Sequence, residues 1–119
     1  MDWSIDKNRP ICPQICEHIC VGIANGELKP NKRLMSVREV AVAAGVNPNT
    51  VQKSFEQLEQ QGLIYSVRSS GWFVGENIRI AQETVDELMH QKTKEYFQNM
   101  RKLGNSDSEI INYIKEWKE

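Results

Sequence analysis

The chain has 119 residues, 39% of them hydrophobic and 26% charged, a balance that fits one compact domain with a small appendage. No apolar run approaches the roughly 20 residues of a membrane span, and MDWSIDKNRP lacks the basic cap and apolar core of a signal peptide, so the expected address is the cytoplasm with no membrane partner. The net charge of −1 excludes a simple polycation, yet residues 29–75 carry a net +3 while residues 1–28 and 76–119 each sum to −2, the pattern of a middle that meets an anion.

In the first nine residues, Trp3 and Ile5 alternate with polar positions, which predicts a short strand or an extended arm. Pro10 and Pro13 then suit the first turn of a helix, where a missing N–H costs nothing. A helix is expected from about Ile11, with Ile15, Ile19 and Ile23 on its buried face. Asn25-Gly26 should stop it, and Leu28 to Asn31 should turn.

Cys12, Cys16 and Cys20 recur every four residues on this helix, beside the isoleucines. Three cysteines in a cytosolic chain do not make a disulfide framework. Packing is the favoured reading. The alternative, a thiol or metal sensor, has no C-x2-C pair behind it, and Glu17 and His18 point elsewhere. No metal site and no cofactor are expected.

Ser36 should open a second helix. Glu39 lies three residues on, so Ser-Val-Arg-Glu reads as a capping box. Val37, Val40, Ala41 and Ala44 share a face. Gly45 supplies a left-handed turn, with Val46 below it. Asn47 caps a third helix with Pro48 at its first position, Val51, Phe55 and Leu58 as its buried stripe, and Gly62 as its stop. Residues 63–75 change period. Leu63 to Val67 and Trp72 to Val74 are rich in strand formers, and Arg68-Ser69-Ser70-Gly71 between them reads as a polar hairpin tip.

Residues 36–62 have the layout of a helix-turn-helix: a small residue at Ala41, a glycine four later, and an apolar brace at Val51. Asn47, Asn49, Thr50 and Lys53 project from the start of the third helix, where amide, hydroxyl and ammonium groups can read base edges or hold phosphates. Ser36 and Arg38 are placed to clamp the backbone at the start of the second helix, whose free N–H groups also suit phosphate. Ser36 and Asn47 serve as caps in any case.

From Glu76 a helical pattern runs to about Lys102, and Gly104 breaks it. Ser106-Asp107-Ser108-Glu109 is a second capping box, opening a last helix. Two helices with strong apolar stripes cannot bury both against a domain this small, so they are expected to pair with a second copy. The residues expected in that pairing are Val85, Leu88, Met89, Tyr96, Phe97, Met100, Leu103, Ile110, Ile111, Ile114 and Trp117. No paired acid, no Ser/His/Asp set and no glycine-rich phosphate loop is present, so no enzyme is expected. His90 is a lone, solvated histidine.

From Pro10 to Val74 the chain resembles the winged helix-turn-helix domain of bacterial GntR-type transcription regulators. The blocks that carry the resemblance are Ile23 to Pro30, Ser36 to Glu39, Val46 to Val51, Leu58 to Ile64 and Gly71 to Val74. It implies operator binding through Arg38, through the helix start Asn47, Pro48, Asn49 and Thr50, through Lys53, and through the wing tip Arg68, Ser69, Ser70 and Gly71. The chain departs from the family pattern at Met35, where proline is usual, at Ser69, where glycine is usual, and at Trp72, where threonine is usual; Trp72 is expected to pack rather than read DNA. The tail is similar to that of the short YtrA-type subfamily in length and in the run Leu103 to Ile111. The fold class expected is mainly α with a small β-hairpin: a winged helix-turn-helix domain over residues 1–75, then a two-helix dimerisation segment over 76–119. The function expected is a homodimeric, sequence-specific regulator, more readily a repressor than an activator, on a palindromic operator of double-stranded DNA. The alternative is a protein-interaction module that uses the winged fold without reading DNA. No residue identifies an effector.

Overall fold

The computed structural model describes residues 2–119. Its elements follow in the order α1 (Ile11–Ala24), α2 (Val37–Ala44), α3 (Pro48–Gln60), β1 (Ile64–Val67), β2 (Gly71–Val74), α4 (Ile78–Lys102) and α5 (Asp107–Glu116). They form two compact units, one ending at Val85 and the other spanning Asp86–Glu119. The first two turns of α4 belong to the first unit, because Ala81 is fully buried there while Ile78, Ile80 and Val85 pack against its core.

Ile15, Ile19 and Ile23 of α1 meet Val51, Phe55 and Leu58 of α3 in that core, with Val40 and Ala41 of α2. The expected caps form. Ser36 Oγ accepts from the Glu39 N–H at 3.1 Å, and Glu39 Oε1 accepts from the Ser36 N–H at 3.0 Å. Gly45 takes φ 68°, the left-handed turn of the motif. The alternating start at Trp3 and Ile5 forms an arm, not a strand. Trp3 is buried there, its ring centroid 5.3 Å from that of His18, and the Gln14 amide holds the arm's backbone, accepting from the Asp6 N–H at 2.8 Å and donating to the Asp6 carbonyl at 2.9 Å.

β1 and β2 pair antiparallel in the register Ile64↔Val74 to Val67↔Gly71. A third segment joins them. Val74 donates to the Lys32 carbonyl at 2.9 Å, and Leu34 donates to the Trp72 carbonyl at 2.8 Å. Arg33 thereby pairs with Phe73. Leu63 lies just outside β1, and its carbonyl accepts from Gly75 N–H at 2.9 Å. A Cβ on Gly75 would come within 2.9 Å of that same oxygen, so only glycine closes the sheet so tightly.

In the second unit, Gly104 ends α4 at φ 94°. Ser106 and Glu109 form the second capping box. Arg101 grips Asp107 with two bonds, Nε to Oδ1 at 2.7 Å and Nη2 to Oδ2 at 3.0 Å, and lies over the Phe97 ring. Trp117 falls just beyond α5, as its C-terminal flank.

Candidate nucleic-acid interface

Three elements converge on the features that a DNA reader needs. The first is the start of α2. Its capping box satisfies two of the four first-turn donors and leaves the N–H groups of Val37 and Arg38 for solvent or an anion. Hydrogen bonds from the Ser36 backbone and hydroxyl, then the charge of Arg33, hold the Glu39 carboxyl below its ordinary range. The box therefore stays formed well below neutral pH. Arg38 is exposed, with no ion pair among the described residues.

The second is the start of α3. Asn47 Oδ1 accepts from the Asn49 N–H at 2.8 Å, and Pro48 follows at the first helical position. This spends the Asn47 carbonyl oxygen on the cap and leaves its amide N–H groups available. Asn47, Pro48, Asn49 and Lys53 are exposed, and Thr50 is half-buried. Lys53 carries no ion pair among the described residues. Behind this surface α3 is locked to α1. The buried Ser54 hydroxyl bonds the Thr50 carbonyl at 2.8 Å and lies 3.1 Å from Cys12 Sγ. Cys16 Sγ lies 3.6 Å from the Ser54 carbonyl and Cys20 Sγ 3.5 Å from that of Ala81.

The thiols thus face groups on neighbouring helices. Burial, reinforced by Cys12, pushes the Cys16 thiol up to about 12, and burial raises Cys20 as well. Such thiols stay protonated at neutral pH and are poor nucleophiles and metal ligands. Among the described residues no group of three or more His, Cys, Asp or Glu could hold a metal ion.

The third is the wing. Its tip, Arg68, Ser69 and Ser70, is exposed. Ser70 donates to the Val67 carbonyl at 2.9 Å across a turn in which Ser69 takes φ 67° and Gly71 then takes φ 112°. Trp72 meets the core, its ring edge-on to Phe55. Glu59 Oε2 accepts from both the Ser66 N–H (3.1 Å) and its hydroxyl (2.9 Å), tying β1 to the end of α3. The wing is therefore aligned with the helix it flanks.

Two cations near these elements escaped the sequence reading. A Cβ on Gly45 would come within 3.0 Å of Lys7 Nζ, so the arm lays Lys7 over the turn between α2 and α3. Arg33 lies beside Gly71 at the wing. Arg33 lies in a run without helical or strand periodicity and Lys7 in the arm before α1, and only their charge marked them.

The residues expected to pair in the tail fall into three groups. Val85 packs on the core of the first unit, and Ile110 has no exposed surface. Leu88, Phe97 and Met100 are half-buried, whereas Met89, Tyr96, Leu103, Ile111, Ile114 and Trp117 are exposed. Within the second unit Tyr96, Phe97, Ile114 and Trp117 line an open groove of about 620 Å³, joined by Tyr113, which the apolar stripes did not single out.

Comparison with known proteins agrees with this geometry. Residues 13–74 match the model of bacterial regulatory proteins, gntR family. The HTH-type transcriptional repressor YtrA of Bacillus subtilis is 32% identical over 114 residues, covering 92% of this chain and 85% of that protein. A GntR family transcriptional regulator from Listeria monocytogenes superposes with a TM-score of 0.81 at 32% identity, over 96% of this chain and 100% of its own. AraR(DBD) in complex with operator ORX1 matches at TM-score 0.53 and 33% identity, over 54% of this chain and 77% of that one. These relatives are regulators, not enzymes, and no helix among the described residues is long and apolar enough to cross a membrane. The chain belongs to the gntR family of bacterial regulatory proteins and is a transcriptional regulator with a winged helix-turn-helix DNA-binding domain.

Proposed function

We propose that the chain is a cytoplasmic, homodimeric repressor that reads a palindromic operator with residues 1–75 and pairs through residues 76–119. The observation that carries the reading is the set of three exposed cations without ion pairs among the described residues: Arg38 on α2, Lys53 on α3 and Arg68 at the wing tip. Cations at two helix starts and a wing tip suit the phosphates of a duplex. Ser36, Asn47, Pro48, Asn49, Thr50, Ser69, Ser70 and Gly71 complete the contact set. The exposed apolar residues of the second unit support pairing with a second copy, since monomers rarely leave such a face bare. Two copies place two α3 helices on two half-sites. Repression then follows from occupancy: a dimer seated on a promoter excludes polymerase. YtrA is named a repressor, and AraR(DBD) is bound to an operator.

The test is binding to a palindromic element from the chain's own upstream region across a salt series. Affinity should fall steeply with salt, by a log–log slope of about −0.9 per phosphate neutralised. Arg38→Ala should weaken binding about tenfold to a hundredfold while leaving the dimer intact. A flat salt series, or a dimer that dissociates on Arg38→Ala, would sink the reading.

A further inference from the structure

Arg33 occupies a place that neither the caps nor the helix-turn-helix spacing assigns. It pairs with Phe73 on the third edge of the wing sheet. Directly paired residues put their side chains on one face, and Gly71 lies on that face two residues along β2. A Cβ on Gly71 would come 3.4 Å from Arg33 Nε and 3.5 Å from Nη2. The guanidinium therefore lies along the bare backbone of Gly71, at the root of the wing tip. Its charge also reaches the start of α2, where it adds to the forces that keep Glu39 ionised. Arg33 is exposed. Its neighbours are thus Glu39 of the α2 capping box on one side and Gly71 of the wing on the other.

We propose that Arg33 is a further DNA-contacting residue, which binds a backbone phosphate between the one clamped by α2 and the groove entered by the wing. A guanidinium presents a planar fork of donors that matches phosphate oxygens. Lying along Gly71 rather than beyond the tip, it reaches the rim of a groove and not its floor. It therefore positions the wing and carries no sequence information of its own. At Gly71 itself a Cβ would only touch the guanidinium, but φ 112° would strain any side chain placed there.

This inference rests on the DNA-binding reading, and the experiment separates the two. The full chain is titrated with a fluorescent, mixed-sequence duplex of about 30 base pairs at several salt concentrations, because phosphate contacts dominate non-specific binding. The variants are Arg33→Gln, Arg33→Met and Arg33→Lys, with thermal melts to confirm folding. The wild type should show a steep negative slope. Either neutral variant should flatten it by about 0.9 per protomer, and Arg33→Lys should keep the slope. A steep wild-type slope that both neutral variants share would overturn the role of Arg33 alone. A wild type without salt-dependent binding would overturn the DNA-binding reading and this inference with it.

Discussion

The Trp72 ring meets Phe55 edge-on, with centroids 5.5 Å apart and planes at 82°. Phe55 is fully buried in α3, the helix that carries Asn49 and Lys53, and Trp72 sits in β2, one residue past the wing tip. With the Glu59–Ser66 hydrogen bonds, this contact links α3 to the wing. Trp72→Ala should cost about 2–3 kcal/mol, below the value for a fully buried tryptophan because the side chain is only partly buried. It should also weaken operator binding beyond any loss of fold, because the wing loses its alignment. Trp72→Phe should keep most of both. Urea unfolding and gel-shift titration of the three proteins would measure the split; equal binding by Trp72→Ala and wild type would show that the Phe55–Trp72 contact does not align the wing for binding.

At the tip, Ser69 holds φ 67° in a turn closed by the Ser70 N–H. The third position of such a turn favours glycine, and a side chain in the left-handed region costs of order 1–3 kcal/mol. Ser69→Gly removes that strain but gives the unfolded chain more freedom, worth about 0.5–1 kcal/mol in the other direction. The net expectation is a gain of about 0.5–1 kcal/mol, read as a rise in the denaturation midpoint with unchanged m-value. A loss of stability would mean that the serine hydroxyl contributes more than the strain costs.

The caps and the apolar spacing made most of the winged fold legible in the sequence. Ser36 with Glu39, Asn47 with Pro48, and Gly45 are local devices, readable because each acts within a few residues of itself. Lys32 to Leu34 were not legible as a strand edge. Their pairing with β2 uses main-chain groups brought together by the whole domain, and no alternation marks them. Arg33 and Lys7 were missed for the same reason: each was placed by its neighbours across the fold. Gly75 read as a mere end of the wing, although its close approach to the Leu63 carbonyl makes it a packing position.

The buried thiols predict a pH dependence. Burial raises Cys16 from an ordinary value of 9.0 to about 12, and Cys20 shifts in the same direction. Below about pH 8.5 both folded and unfolded thiols are protonated, and the contribution of these side chains is fully present. As pH climbs from there toward 12, the unfolded thiols ionise first. The unfolded state then binds fewer protons, so stability falls with rising pH. Denaturation midpoints at pH 7 and pH 10 should differ more for the wild type than for Cys16→Ala. Parallel declines would show that Cys16 is not the group responsible.

The last prediction sets two isoleucines of α5 against each other. Ile110 has no exposed surface, and Ile114, four residues on, is 48% exposed beside Tyr96 and Trp117 at the open groove. If the groove face pairs with a second copy, the two should fail differently. Ile110→Ala removes fully buried methyl groups, so it should cost about 2–4 kcal/mol of fold stability. Ile114→Glu leaves the monomer fold nearly untouched, because the new carboxylate can reach water. In a dimer interface it would face its own symmetry mate or apolar rings without a partner, a cost of several kcal/mol. Sedimentation should therefore find Ile114→Glu monomeric with a wild-type helical spectrum, and operator affinity should drop by the loss of the second half-site. An Ile114→Glu protein that stays dimeric would move the interface off this face.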